Sequence, residues 1–76
     1  MKELLEVLAK ALVDHPEDVI VAQVDTEKSV HLQLVVAPGD MGKVIGKQGK
    51  IANAIRTIVK AAAVKDGRRV HVDIDQ

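Results

Sequence analysis

The spacing of hydrophobic residues changes several times along the chain, and each change marks an element. From Lys2 to His15 the apolar positions Leu4, Leu5, Leu8, Ala11 and Leu12 recur at helical spacing, which predicts an amphipathic helix over about 2–15, closed by Pro16. Asp18 to Asp25 is rich in β-branched residues (Val19, Ile20, Val21, Val24). Val30 to Ala37 follows after Thr26-Glu27-Lys28-Ser29, so the two segments predict strands joined as a hairpin. Pro38-Gly39-Asp40 is a turn whose last residue is a good N-cap for a short helix from Met41 to about Ile45, stopped by Gly46. From Lys50, Ile51, Ala52, Ala54, Ile55, Ile58, Val59 and Ala62 mark a long helix that ends near Val64, with Gly67 as the exit turn. Arg69 to Asp75 alternates cleanly, Val70, Val72 and Ile74 against Arg69, His71, Asp73 and Asp75, which predicts a strand with one wet face.

The element order is α-β-β-α-α-β, an α+β class, and 76 residues make one domain, 1–76, with 47% hydrophobic residues for a small core. On the long helix the apolar set from Ile51 through Ala63 covers roughly 200°, wider than the stripe of about 100° that a surface helix needs. The excess is either small alanine filling space or a second contact, with nucleic acid, a dimer partner or both. No 18-residue apolar run occurs, and Met1 opens directly into Lys2-Glu3-Leu4, so the expectation is a cytoplasmic protein without membrane insertion. Cysteine is absent, which excludes disulfides, thiolate metal sites and a cysteine nucleophile.

A net charge of zero hides a strong asymmetry. Residues 1–40 carry three basic and eight acidic side chains, whereas residues 41–70 carry eight basic and one acidic. A basic block of that kind points to an anionic partner. Inside it lies Val44-Ile45-Gly46-Lys47-Gln48-Gly49-Lys50-Ile51, a glycine turn between two predicted helices. Gly46 can take the positive φ that ends a helix, and Gly49 lets a ligand backbone approach without a Cβ in the way. The following helix would direct its free N–H groups and positive dipole end at an anion over the turn, and Lys47 and Lys50 add mobile charge there.

Other chemistries fit poorly. The string Gly42-Lys43-Val44-Ile45-Gly46-Lys47-Gln48 is one residue short of the nucleotide P-loop spacing and has Gln48 where a magnesium-binding Ser or Thr is needed. Ser29, the only serine, lies in the predicted hairpin turn. His15 sits at the end of the first predicted helix, and His31 and His71 alternate with apolar neighbours on strands, so neither a catalytic triad nor a metal set forms. Asp73 and Asp75 share a strand face with no counterpart for acid/base work.

A GxxG turn between two helices, flanked by Val44-Ile45 and Lys50-Ile51 within this element order, resembles the KH domain in its type II topology and is close to the small single-domain proteins of the KhpA family. The resemblance spans the whole chain. It implies a three-stranded sheet with three helices packed on one face, a KH core over about 18–76 behind the N-terminal helix, no enzymatic activity and no cofactor. It also implies a narrow groove for about four nucleotides of single-stranded RNA or DNA. By analogy Gly46, Lys47, Gln48 and Gly49 grip phosphates, with basic Lys43 and Lys50 on either side. Val44, Ile45 and Ile51 divide between groove floor and core, and Val30 to Ala37 would supply the groove's wall. The absence of aromatic residues implies weak binding with little base preference, so that a second domain is needed for useful affinity. Family members are expected to pair with themselves and with a larger KH-containing protein, KhpB, as RNA chaperones linked to cell elongation, cell shape and cell-wall growth. The competing readings are a protein-interaction or dimerisation module with a KH fold, a single-stranded DNA binder, and a duplex DNA binder in which the two helices act as a helix-turn-helix.

Overall fold

The computed structural model describes all 76 residues. Helix α1 spans Lys2–Leu12, strands β1 and β2 span Ile20–Asp25 and Ser29–Val35, helices α2 and α3 span Met41–Ile45 and Lys50–Val64, and strand β3 spans Arg69–Asp75. The expected order α-β-β-α-α-β holds. β1 and β2 pair antiparallel, as a hairpin must, and β3 pairs parallel with β2, as its arrival through the helical crossover allows. β2 is therefore the central strand.

Alternation places one set of side chains under the helices. Val30, Leu32 and Leu34 of β2 are buried, with Val21 of β1 and Val70 and Val72 of β3 beside them, and α1, α2 and α3 contribute Leu5 and Ala9, Val44, and Ile55, Val59 and Ala63 to the same core. The opposite sheet face is uncovered, with His31 and Gln33 exposed between Val24 and Ala22 on one side and His71 and Asp73 on the other. There the His31 and His71 rings stack, with centroids 4.9 Å apart. No helix is long and apolar enough to cross a membrane.

Several predicted boundaries shift for one reason, the fate of Asp40. Its side chain makes no cap for α2. Instead it is 1% exposed and accepts backbone N–H bonds from Asp14 (3.3 Å) and His15 (3.0 Å) across 25 residues of chain. Those N–H groups are thus committed outside any helix, α1 ends at Leu12 rather than His15, and Val13 is extended. His15 consequently lies beyond the helix, opening the short 3₁₀ helix Pro16–Asp18 that delays β1 to Ile20. β2 stops at Val35, and the next N–H, that of Val36, bonds the carbonyl of Asp75 (3.1 Å).

Candidate nucleic-acid interface

The glycine turn is built by its two ends differently. Gly46 ends α2 by donating its N–H to the Gly42 carbonyl (2.9 Å), at φ 75° and ψ 173°. That region is essentially closed to any residue with a side chain. A Cβ there would also lie 2.6 Å from Cγ1 of Ile51, so the turn packs directly on the first apolar residue of α3. Gln48 follows at φ 60°, the only non-glycine residue in the chain with positive φ. Gly49 takes φ 74° and ψ 13° with open space where a Cβ would stand, and its N–H donates back to the Gly46 carbonyl (3.1 Å). α3 then starts at Lys50 with no side-chain cap; the Lys50 N–H donates to the Lys47 carbonyl, and the helix directs the positive end of its dipole at the loop.

The structure separates the residues that sequence grouped. Lys47, Gln48 and Lys50 are exposed on the turn and beside it. Val44 is 0% exposed and lies in the core, so of the three apolar motif positions it is the anchor. Ile45 and Ile51 are half-buried against that core. Lys43 lies on α2 with its ammonium on Asp14 Oδ2 (2.7 Å), and the pair holds the Asp14 carboxyl below its ordinary value of 3.8 and the Lys43 ammonium above its ordinary 10.5, first by the hydrogen bond and then by charge. Among the eight cations of residues 41–70 only Lys43 and Arg68 have a carboxylate within 4.0 Å. Lys47, Lys50, Arg56, Lys60, Lys65 and Arg69 have none.

A cleft of about 460 Å³ runs between α3 and β3, bordered by Arg56, Lys60, Arg68 and Arg69 with Asp73 as its one acid. Sequence reasoning assigned the groove wall to Val30–Ala37. That segment does not border this cleft: β2 is the central strand, its inward side chains are sealed in the core, and β3 is the edge beside α3. The cleft cations were also missed individually, although the 3.6 period of α3 puts Arg56 and Lys60 on one flank, beside the buried stripe of Ala52, Ile55, Val59 and Ala63.

On the other flank of α3 the wide apolar arc is left uncovered. Ala54 and Ile58 join Leu8, Ala11 and Leu12 of α1 around a groove of about 340 Å³, with Ile58 45% exposed and Leu12 39%. Lys50 is its one charged neighbour.

Comparison with known proteins agrees with this architecture. The chain is 64% identical over 74 residues to proteins named RNA-binding protein KhpA from Clostridium perfringens and Clostridium acetobutylicum, covering 97% of this chain and 99% of each relative. It is 47% identical to the protein of the same name from Listeria monocytogenes, over 97% of both chains. These relatives are named for RNA binding and not for an enzymatic activity. Among solved structures, Era in complex with MgGDPNP and nucleotides 1506–1542 of 16S ribosomal RNA superposes with a TM-score of 0.71 at 16% identity, over 97% of this chain and 28% of Era, which establishes a shared fold for that portion. Aquifex aeolicus Era bound to GDP and AlF4⁻ gives 0.70 over 96% of this chain and 28% of Era. The family profile described as KhpA/KhpB, KH domain, matches residues 2–74, and the chain belongs to that family.

Proposed function

We propose that this chain binds single-stranded RNA, with the phosphates of about four nucleotides over Gly46-Lys47-Gln48-Gly49 and their bases along the α3–β3 cleft. The observation that carries the reading is the continuity of the site: an exposed Lys-Gln turn lies at the uncapped start of α3, and the same helix then borders a cleft whose cations are nearly all free. Lys47 and Lys50 supply charge to the phosphates, Ile45 and Ile51 support the turn from below, Val44 fixes α2 in the core, and Lys43 adds charge at one remove while held by Asp14. The naming of close relatives for RNA binding supports the ligand class. Within a cell the protein acts as an RNA chaperone in the cytoplasm, in a complex tied to cell elongation and cell shape, paired with itself or with a larger KH protein of the KhpB kind. The apolar groove between α1 and α3 supports that pairing, since a partner covering Leu12 and Ile58 leaves the cleft on the other flank free.

The test is the double variant Lys47→Asp, Gln48→Asp. Aspartate tolerates the left-handed backbone at position 48, so folding survives. Affinity for single-stranded RNA, read by fluorescence anisotropy, should drop roughly tenfold or more, because two carboxylates replace the phosphate contacts. Unchanged affinity sinks the clamp. Parallel titrations with single-stranded and duplex DNA at several salt concentrations separate the DNA readings, and preference for duplex would favour a helix-turn-helix mode.

A further inference from the structure

The chain has no Phe, Tyr or Trp, and the one imidazole at the α3–β3 cleft, His71, lies on the exposed face of β3, stacked on His31 with centroids 4.9 Å apart. Beside aromatic and imidazole rings, proteins stack bases on the guanidinium plane. Of the four long cations around the cleft, Lys60 has no plane to offer. Arg68 leans toward Asp25 (3.7 Å) and Asp66 (3.9 Å). Arg69 is exposed at the start of β3. Arg56 differs from all three. It is half-buried, and its Nε donates to the carbonyl of Val72 at 3.2 Å, a bond from helix to edge strand that fixes the orientation of the plane. One of its five N–H donors is used this way, and no carboxylate lies within 4.0 Å of it. It stands about 9 Å along the axis from Lys50, where α3 leaves the glycine turn.

We infer that Arg56 is the stacking platform of the cleft: its guanidinium, pinned by the Val72 carbonyl, lies against the face of one nucleobase while the adjoining phosphates sit over the glycine turn. The inference rests on the RNA-binding reading above and names the residue that holds a base. Charge alone does not serve this role, because an ammonium has neither the plane nor the weak hydration that lets a guanidinium lie flat on a π face.

The experiment uses the full chain and a single-stranded RNA hexamer carrying an abasic residue, or 2-aminopurine, at each position in turn. The proteins compared are wild type, Arg56→Lys, Arg56→Gln and the Lys47→Asp, Gln48→Asp double variant. In the wild type one abasic position should weaken binding about tenfold, and 2-aminopurine at that position should brighten on binding as it leaves the stack of its neighbouring bases. Arg56→Lys should bind intact RNA about tenfold more weakly at an unchanged salt slope, and the abasic position should cost it nothing further. Arg56→Gln keeps a planar donor for Val72 and should retain the fold while losing that position-specific fluorescence change. An abasic scan that is flat for wild type overturns the inference without recourse to any variant. So does Arg56→Lys binding as tightly as wild type, or an equal loss for intact and abasic RNA at every position. Full RNA affinity in the double aspartate variant defeats the RNA-clamp reading itself, whereas its loss together with a flat scan removes Arg56 alone.

Discussion

Gly46 and Gly49 answer to different demands, so the same substitution separates them. Gly46→Ala meets both a forbidden backbone region and Ile51 at 2.6 Å, and should cost about 3 kcal/mol or more, a melting temperature ~12–24 °C lower. Gly49→Ala enters open space at a left-handed φ and should cost only about 1 kcal/mol. On the proposed clamp its methyl group would stand in the path of the RNA backbone, so affinity should suffer more than stability. Calorimetry and anisotropy on both variants check the split. Asp40→Ala strands two backbone N–H groups at the exit of α1 and should lower stability by about 2–3 kcal/mol with RNA affinity unchanged per folded molecule, read by thermal melts. The Lys43–Asp14 pair gives a pH signature. Asp14 is held below 3.8, so its contribution is present above that value and is lost as pH falls through the lowered pKa. Lys43 is held above 10.5, so its contribution is present below that value and is lost as pH rises through the raised pKa. Both groups are exposed, so each limb is small, and Asp14→Asn should flatten both in a pH series of melts.

At the level of elements, periodicity carried nearly all the information. The spacing of Leu5, Ala9, Ile55 and Val59, and the alternation of Val30, Leu32 and Leu34, are local statements about which side faces the core, and the core obeys them. Where the expectation missed, the deciding contact was distant in sequence. Asp40 has the composition of an N-cap, and nothing near it announces that its carboxylate is claimed by Asp14 and His15. The cleft beside β3 was not foreseen for a similar reason. Strand order depends on which edge the crossover returns to, so Val30–Ala37 could not reveal that β3, and not β2, would border α3. Of the site, the turn itself was legible because glycine spacing and charge are local, while the pinning of Arg56 by Val72 spans 16 residues and was not. The excess apolar arc of α3 was legible too, and the structure leaves it bare at Ala54 and Ile58. If this face carries the proposed pairing, Ile58→Asp should abolish self-association or capture by a KhpB-like partner, measured by analytical ultracentrifugation, while the affinity of a single chain for RNA stays within about twofold.

Taken as a whole, the molecule is a neutral body with a basic middle segment. If about three phosphates are engaged, log affinity should fall against log salt with a slope near −2, about 0.7 per contact for single strands. Neutrality also governs how the complex forms. A cationic protein draws RNA from a distance, and its association rate climbs as salt is removed. Here the excess acid of residues 1–40, together with Asp73 and Asp75, cancels that field beyond about 8–10 Å at physiological salt. RNA then feels the free cations of α3 and β3 only once it is nearly seated, so ionic strength should act on residence time far more than on encounter. Stopped-flow mixing should show a dissociation rate that rises steeply with salt beside an association rate that barely moves.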